Sequence, residues 1–257
     1  MIPRVLSIAG SDSCGGAGIQ ADIKTITMLG GHAMSAITVL TAQDTCGVHG
    51  VLPVPPDFVV AQIDACVSDI GVDAVKIGML GSPEIAAAVA DRLEGLGVPV
   101  VFDPVMIATS GAVLADDATI AAFERLMRLA TLTTPNVPEL AALGGHAAMA
   151  ARDVPYLAKG GDAEGAEVTD RLIRPGQPRL EWTAPRIVTT STHGTGCTMA
   201  SAIATLLGGG ASLVEAVEGA RAFVRAALLA APGLGKGHGP LGHQAVRELQ
   251  ARGVSSR

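Results

Sequence analysis

The stretch that determines the fold is residues 5–40, VLSIAGSDSCGGAGIQADIKTITMLGGHAMSAITVL. Its first apolar run, residues 5–9, predicts a buried strand, and the glycine-rich residues 10–16 predict a flexible loop. Residues 17–29 have the pattern of a helix that ends at two glycines, and residues 36–40 form a second apolar run. A strand, a helix and another strand in this order are typical of a parallel sheet with a crossover helix.

The same order of elements continues through most of the chain. The later apolar runs are residues 74–77, 98–102, 131–134 and 154–158. Apart from Lys76 and the threonines of residues 131–134 they are apolar and do not alternate with polar residues, as in parallel strands that helices cover on both faces. Residues 168–173 and 180–182, joined by the turn sequence PGQP, predict a hairpin near one edge of the sheet. We therefore expect an α/β fold with a central, mostly parallel β-sheet, helices on both faces and a small edge hairpin.

The sequence contains no internal repeat and no interdomain linker. A chain of 257 residues fits one large α/β domain. We expect residues 1–257 to form a single domain whose polar tail, after about residue 243, frays.

Composition excludes several classes of function. Aromatic residues make up 2% of the chain and the formal net charge is −6, which argues against stacking on bases and against binding a nucleic-acid backbone. The apolar runs are too short to span a membrane, and the first residues lack the pattern of a signal peptide. The four cysteines form neither a CxxC pair nor a zinc spacing. We expect a cytoplasmic protein with small-molecule ligands, and no nucleic-acid or membrane partner.

A second informative stretch is residues 192–204, THGTGCTMASAIA, in which glycines and small hydroxyl residues open a helix. The first turn of a helix leaves backbone N–H groups unpaired and carries partial positive charge, so an anion can bind there. Cys197 falls on that turn, where a thiol is pushed toward the thiolate. The stretch predicts phosphate binding, with Cys197 as a base or nucleophile of lowered pKa. The alternative is a glycine-capped buried helix with a core cysteine, and for His193 we expect a structural role.

Polar or glycine residues follow most of the predicted strands. They are residues 10–16, Gln43-Asp44, Gly78-Met79, Asp103, Asn136, Lys159 and Thr189. Ligands of such sheets bind at the carboxyl ends of the strands, so these residues predict the rim of a binding site. Lys159 is a mobile charge suited to a phosphate. Asn136 and Glu139 fit either a capping box or a metal–phosphate site, and Asp103 at its strand end is similarly ambiguous.

Nine short motifs occur in order along the chain. They are IAGSD (8–12), GGAGIQADIKT (15–25), TAQDT (41–45), KIGML (76–80), DPVM (103–106), TPNVPE (134–139), KGG (159–161), THGTGC (192–197) and GKGHGP (235–240). Together they resemble the hydroxymethylpyrimidine/phosphomethylpyrimidine kinases of thiamine biosynthesis, in the ribokinase-like superfamily. The resemblance implies a ribokinase-like fold, a homodimer, and phosphoryl transfer from Mg²⁺-ATP to the hydroxymethyl group of 4-amino-5-hydroxymethyl-2-methylpyrimidine. Many members then phosphorylate the monophosphate to the diphosphate.

The resemblance also implies roles for residues around the acceptor. Gln43 would hydrogen-bond the aminopyrimidine edge, and the ring would be lined by Ala17, Met79 and Val105. The anion hole for the transferring phosphate would consist of Gly194, Thr195, Gly196 and Cys197. Cys197 occupies the base position, where most of the superfamily has an aspartate. We expect it to take the proton of the alcohol, since direct in-line transfer from ATP needs no phosphocysteine.

A second set of implied roles concerns the nucleotide and its metal. The residues that would contact ATP are Asn136, Lys159, Thr189 and Lys236. Lys159 would also take part in catalysis by neutralising charge on the transferring phosphate. Asp103 and Glu139 would serve the Mg²⁺ ion.

Two features depart from the family pattern. Residues 144–153 are shorter than the usual helical crossover, which predicts weaker support on the nucleotide side and affects ATP affinity more than the pyrimidine pocket. Asp162 stands where the family usually has a histidine. A carboxylate there is unfavourable near phosphates unless it points to solvent or to a metal.

Two other functions remain open. The nearest is a pyridoxine/pyridoxal kinase of the same superfamily, although Gln43 and Met79 favour the pyrimidine. The other, from a different class, is a non-catalytic vitamin-binding protein that lost activity through the short crossover. The presence of Lys159 and Cys197 argues against that second alternative.

Overall fold

The computed structural model describes residues 1–106 and 114–246, and its strands form one nine-stranded sheet in the order β3-β2-β1-β4-β5-β6-β7-β8-β9. The strands are β1 Arg4–Asp12, β2 His32–Gln43, β3 Val48–Pro53, β4 Ala74–Ile77, β5 Val100–Phe102, β6 Leu132–Thr133, β7 Tyr156–Ala158, β8 Glu167–Ile173 and β9 Leu180–Pro185. The helices are α1 Gly18–Met28, α2 Pro56–Asp69, α3 Pro83–Leu93, α4 Asp117–Leu129, α5 Val137–Ala142, α6 Gly145–Arg152, α7 Thr195–Gly208 and α8 Leu213–Leu229. A short 3-10 helix, His243–Ala245, follows α8.

The centre of the sheet is parallel and its edges are antiparallel. Strands β2, β1, β4, β5, β6 and β7 pair in parallel. The hairpin of β8 and β9 joins β7 in antiparallel pairing, which confirms the expected edge hairpin. At the opposite edge β3 also pairs antiparallel, with β2. The predicted α/β fold with a mostly parallel sheet is confirmed.

Helices cover both faces of the sheet, because the central strands bury side chains in both directions. Leu6 and Ile8 of β1 belong to one apolar cluster, which packs under α2, α3 and α4. Val5 of the same strand belongs to a second cluster, which packs under α1, α7 and α8. On the first face Phe102 of β5 meets Phe123 of α4 edge to face, with ring centroids 5.0 Å apart. Burial on both faces explains why apolar residues do not alternate with polar ones in these strands.

The loop between β1 and α1 requires glycine where the helix begins. Gly18 has φ +54°, and a Cβ built there would lie 2.2 Å from the carbonyl oxygen of Gly10. A side chain would therefore separate the helix from the end of the strand. This close approach brings the N-terminus of α1 directly over the carboxyl end of β1.

The short crossover between β6 and β7 contains two small helices rather than one long one. α5 spans Val137–Ala142 and α6 spans Gly145–Arg152. Arg152 ties α6 to its surroundings through the Glu124 carboxylate of α4 at 2.7 Å and the Leu143 carbonyl at 2.8 Å. The shortened segment 144–153 thus forms the second of two short helices that bridge the parallel strands.

Two expectations concern the ends and the environment of the chain. The tail predicted to fray beyond about residue 243 falls mostly on residues 247–257, which lie outside the described residues. Among the residues that the structure describes, no helix is both long enough and apolar enough to cross a bilayer.

Candidate active site

A cavity of about 970 Å³ opens at the carboxyl ends of the parallel strands. Of the predicted site residues, those that line it are Ala17, Gln43, Met79, Asp103, Val105, Asn136, Glu139, Lys159, Thr189, Gly194, Thr195, Gly196 and Cys197. The exception is Lys236, which is exposed on the loop after α8 and outside the lining. That loop is nevertheless attached near the site, because the Lys236 N–H donates to Thr45 Oγ1 at 3.1 Å. The residues after the strand ends thus come together, as the sheet topology requires.

The N-terminus of α7 faces this cavity with an open first turn. Its N-cap, Gly194, has φ +86° and makes no side-chain cap. A Cβ on Gly194 would lie 1.9 Å from the Gly16 carbonyl oxygen, so only glycine lets this helix start against the β1–α1 loop. Thr195, Gly196 and Cys197 follow as the first helical residues. The Thr195 N–H donates to the Thr192 carbonyl at 3.3 Å, and the N–H groups of Gly196 and Cys197, with the helix dipole, offer a site for an anion.

A cluster of opposite charges lies beside the start of α7. Lys159 Nζ is 2.7 Å from Asp103 Oδ1 and 3.9 Å from Glu139 Oε2. Burial by itself lowers the pKa of the Lys159 ammonium, but Asp103 and Glu139 more than offset this, so the pKa is raised and the lysine stays charged. A Cβ on Gly196 would lie 3.1 Å from Lys159 Nζ, which shows how closely the ammonium approaches the helix. The anion site therefore has one ammonium beside it, whose charge Asp103 and Glu139 offset.

Asn136 and Glu139 form the capping box of α5. The Asn136 side chain accepts from the Glu139 N–H at 2.9 Å, and Glu139 Oε2 accepts from the Asn136 N–H at 2.8 Å. The capping role is thus present, and Glu139 also lines the cavity. Burial raises the pKa of Glu139 to about 7, against the lowering effect of Lys159 and with a further rise from Asp103. A buried carboxyl with so high a pKa is poorly compensated and suits a cation.

Beneath Cys197 lies a fully buried ion pair that the sequence did not predict. Lys76 Nζ is 3.0 and 2.8 Å from the two oxygens of Asp22. Ser201, one turn after Cys197 on α7, donates to Asp22 at 2.7 Å, and Ser7 donates to it from β1. Burial by itself lowers the pKa of Lys76, but Asp22 more than offsets this and the pKa is raised. The ammonium is therefore a fixed positive charge at the floor of the cavity.

The pKa of the Cys197 thiol is raised, whereas the sequence predicted that it would be lowered. Burial raises its pKa to about 11. Lys76 and the Gly18 N–H lower it, while the carboxylates of Asp22 and Asp103 raise it further. The expectation of a pKa lowered toward neutrality is wrong, because Lys76 and the Gly18 N–H do not offset burial beside two carboxylates.

The structural role expected for His193 has a specific form. His193 Nε2 lies 2.9 Å from Asp12 Oδ2 and 3.0 Å from the side-chain amide of Gln43. Asp12 Oδ2 also accepts from two backbone N–H groups of the β1–α1 loop, at 2.9 and 2.8 Å, and Asp12 Oδ1 accepts from a third, that of Cys14, at 2.9 Å. Although burial raises the pKa of Asp12, these donors reduce it to about 2 overall. Cys14 lies close to Asp12 and His193 and completes a set of possible metal ligands, but the Asp12 oxygen that they share already accepts these hydrogen bonds.

The remaining wall of the cavity comes from β8, β9 and α8. Arg221 binds Asp170 at 2.7 Å, and Asp170 accepts from the Gly160 N–H at 3.0 Å, next to Lys159. Arg186 donates to the carbonyls of Gly161, Ala163 and Gly165 and so holds the loop after β7. Asp162 on this loop is exposed at the rim. No local motif marks Asp170, Arg186 or Arg221, since their partners are far away in sequence.

The fold and the site together define a class of protein. A mostly parallel sheet with helices on both faces and a cavity at the carboxyl ends of its strands is the architecture of a ribokinase-like kinase. The family model described as phosphomethylpyrimidine kinase matches residues 12–242. The chain belongs to that family.

Relatives agree in sequence and in structure. The chain is 48% identical to a hydroxymethylpyrimidine/phosphomethylpyrimidine kinase from Rhizobium meliloti (strain 1021), covering 95% of this chain and 97% of the relative. It is equally identical (48%) to a thiamine biosynthesis bifunctional protein from Geobacter sulfurreducens, of which 52% is covered. The chain thus spans about half the length of that relative.

Two solved structures share the fold. A pyridoxal kinase from Bacillus subtilis, in complex with ADP, has a TM-score of 0.86 and 32% identity, covering 96% of this chain and 100% of that one. A phosphomethylpyrimidine kinase from Clostridium difficile 630 has a TM-score of 0.73 and 35% identity, covering 87% and 98%. Similarity of fold alone therefore does not separate the two kinds of acceptor.

Proposed function

We propose that this chain transfers the γ-phosphoryl group of ATP to the hydroxymethyl group of 4-amino-5-hydroxymethyl-2-methylpyrimidine, in thiamine biosynthesis. We further propose that it phosphorylates the resulting monophosphate to the diphosphate. The observation that carries the proposal is the open start of α7, with Lys159 beside it and Gln43 in the same cavity. Relatives that carry this name over nearly their whole length support it.

The acceptor pocket would lie at the ends of β1, β2 and β4. Gln43 would hydrogen-bond the aminopyrimidine edge, and the apolar lining of Ala17, Met79 and Val105 would contact the ring. The hydroxymethyl group would then face the first turn of α7. Positioning of this kind supplies much of the catalysis in phosphoryl transfer.

The nucleotide would occupy the side of the cavity toward β8, β9 and α8. Lys159 and the first turn of α7 would hold the transferring phosphate, with Asn136 and Thr189 nearby in the lining. Lys236 would have to reach the nucleotide from its exposed loop. The complex of a structural relative with ADP supports a nucleotide site in this fold.

The donor set also fits Mg²⁺. Asp103 Oδ1 accepts from Lys159 and from Thr134 Oγ1, at 2.7 and 2.9 Å, while its carboxylate lies on the cavity wall beside Gly196. Glu139 adds a second buried carboxyl whose raised pKa shows that it lacks compensating charge. Hard oxygen ligands of this kind suit Mg²⁺, which would neutralise phosphate charge when bound. We propose that Asp103 and Glu139 hold the ion.

Cys197 is the proposed general base. It follows Gly196 in the first turn of α7, where the acceptor hydroxyl and the phosphate would meet. Because the pKa of the thiol is raised, the thiolate is a minor form at neutral pH and a strong base once formed. Lys76 supplies the nearby positive charge that favours this thiolate.

Pyridoxal is the second candidate acceptor, since a pyridoxal kinase shares the fold at a TM-score of 0.86. The test is a competition assay with the pyrimidine alcohol, pyridoxal and Mg²⁺-ATP, in which each phosphorylated product is quantified. We expect a higher kcat/KM for the pyrimidine alcohol. Faster turnover of pyridoxal would overturn the proposal, and absence of ADP release with either alcohol would favour a non-catalytic vitamin-binding protein.

The setting of the enzyme is also proposed. We infer that residues 1–257 act as a single kinase domain and as a homodimer, on the resemblance to the family. A cytoplasmic location suits its four free cysteines, because that compartment keeps thiols reduced. No nucleic-acid or membrane partner is proposed.

A further inference from the structure

The backbone of Gln43 is fixed by hydrogen bonds at the end of β2. The question is which way its side-chain amide faces, with the oxygen or with the nitrogen toward His193. The Gln43 N–H donates to Ser13 Oγ at 2.8 Å, and Ser13 Oγ donates back to the Gln43 carbonyl at 2.7 Å. The amide oxygen and nitrogen of a glutamine have nearly the same shape, and its hydrogen-bond partners determine which atom faces which way. The neighbours of this amide therefore set what the pocket presents to a ligand.

One neighbour of the amide must be a donor. Asp12 has a pKa of about 2, so at neutral pH it is ionised and can accept hydrogen bonds but not donate them. His193 Nε2, 2.9 Å from Asp12 Oδ2, therefore carries the proton. An imidazole N–H has no lone pair left, so it cannot accept from a glutamine N–H at 3.0 Å. The amide atom that faces His193 has to be the oxygen, which shares the Nε2–H with Asp12.

The other neighbour of the amide agrees with this assignment. The Thr41 hydroxyl donates to the Ser11 carbonyl at 2.9 Å and lies 3.5 Å from the far end of the Gln43 amide. Its single hydrogen is used by Ser11, so its oxygen can only accept from the amide. With the nitrogen of Gln43 on the Thr41 side, one amide N–H faces the Thr41 oxygen and the other is left to donate to a ligand.

We propose that His193, fixed by Asp12, is a positioning residue that holds the Gln43 amide with its oxygen toward α7 and its nitrogen toward Thr41. The proposal rests on the proposed pyrimidine kinase function and assigns the orientation of that substrate. The exocyclic amine of an aminopyrimidine pairs with the amide oxygen, and the adjacent ring nitrogen pairs with the amide N–H. The hydroxymethyl group next to the amine is then directed toward the start of α7, which His193 immediately precedes.

The reverse orientation of the Gln43 amide would place the hydroxymethyl group of the substrate on the side away from α7. With the amide nitrogen toward His193, the ring nitrogen would lie nearest α7, and the amine and hydroxymethyl groups would face Thr41. His193 thus connects recognition of the amine to the geometry of transfer. It also rejects an analogue with an oxo group in place of the amine, because two acceptors would then face each other.

The test compares kcat/KM for the 4-amino alcohol and for its 4-oxo analogue with Mg²⁺-ATP. In His193→Leu, which lacks the donor, the amide can turn over, and the preference for the amine should fall at least about tenfold. His193→Gln restores an N–H donor near the same position and should keep most of the preference. His238→Leu is the control, since the His238 ring lies on the same rim but pairs with Thr192 Oγ1 and not with the Gln43 amide. The preference of this variant should equal that of wild type.

The outcomes separate the inference from the proposed function. Equal losses for both alcohols in His193→Leu, with an unchanged preference, would show that His193 only packs against the loop and would overturn the inference. If thermal unfolding shows that His193→Leu does not fold, His193→Met is used instead, because methionine also lacks a donor and has a longer side chain. Absence of turnover of the 4-amino alcohol by wild type would instead overturn the proposed function itself.

Discussion

Neighbouring groups at the start of α7 shift the pKa of the Cys197 thiol in opposite directions. Burial and two carboxylates raise its pKa to about 11, while Lys76 lowers it. Below that value the thiolate fraction grows tenfold with each pH unit. If the thiolate takes the alcohol proton in the slow step, kcat should rise about tenfold per unit between pH 6 and pH 9, measured with saturating pyrimidine alcohol and Mg²⁺-ATP.

A substitution at the same position provides the control for this pH profile. Cys197→Asp introduces aspartate, the residue that the resemblance implies for most of the ribokinase-like superfamily at this position. A carboxyl group loses its proton at a lower pH than a thiol, so the profile of this variant should level off once Glu139 has ionised, near pH 7, instead of rising to pH 9. A flat wild-type profile would contradict the role of the thiol as base.

At the residue scale, motifs predicted which side chains approach the cavity but not how their charges interact. Lys76 begins the motif KIGML, yet its partner Asp22 is 54 positions away and on another element. His193 and Asp12 are 181 positions apart. Local patterns contain no information about such contacts, and therefore none about the pKa of Cys197.

At the scale of an element, the capping box of α5 is made with a buried carboxyl. The pKa of Glu139 is raised from 4.5 to about 7 by burial. The folded protein therefore binds a proton that the unfolded chain releases near pH 4.5, and stability is lost as pH rises to about 7. Glu139→Gln keeps the acceptor of the cap without this titration. Its free energy of unfolding, relative to wild type, should be on the order of 1 kcal/mol higher at pH 8 than at pH 5.

A second capping box gives a matched control for that prediction. Glu215 occupies the equivalent position in α8, opposite Ser212, but it is exposed and its pKa is lowered. Glu215→Gln should therefore show no gain between pH 5 and pH 8 in urea unfolding. A gain equal to that of Glu139→Gln would mean that burial of Glu139 is not the cause.

The start of α7 depends on one glycine. A Cβ at Gly194 would overlap the Gly16 carbonyl at 1.9 Å, and the φ of +86° is already unfavourable for other residues. We expect Gly194→Ala to lower the free energy of unfolding by more than about 3 kcal/mol and to abolish activity, because the helix must move away from the loop.

Gly210, just after the same helix, separates backbone strain from this overlap. It has φ +91° and no atom within 4 Å of an added Cβ. Gly210→Ala should cost only about 1 kcal/mol, measured by the same denaturant titration. Equal losses in the two variants would contradict the close packing of α7 against the β1–α1 loop.

Elements were predicted well where the pattern is local and strong. The apolar runs located the parallel strands, and glycine and proline placed the helix ends and the β8–β9 hairpin. The antiparallel pairing of β3 with β2 was not predicted, since an exposed edge strand has little apolar pattern. The crossover was expected to be short, but its division into α5 and α6 was not predicted; the break falls at Gly144 and Gly145, whose φ angles are +90° and +72°.

At the scale of the whole molecule, the parallel topology accounts for the site. Strand ends that are far apart in sequence meet at one edge of the sheet, so the order of motifs was enough to predict one cavity. The wall formed by β8, β9 and α8 was not predicted, because Asp170 and Arg221 meet only in the folded chain. Sequence motifs thus describe the reacting end of the cavity better than its far end.

The most direct measurement is product analysis after incubation of 4-amino-5-hydroxymethyl-2-methylpyrimidine with Mg²⁺-ATP, for wild type and for Cys197→Ala of matched thermal stability. Phosphorus NMR and mass spectrometry distinguish the monophosphate from the diphosphate. The account predicts both products with wild type and neither with Cys197→Ala. Products formed by Cys197→Ala at the wild-type rate would contradict the role of the α7 thiol, and no phosphorylated pyrimidine with wild type would contradict the proposed reaction.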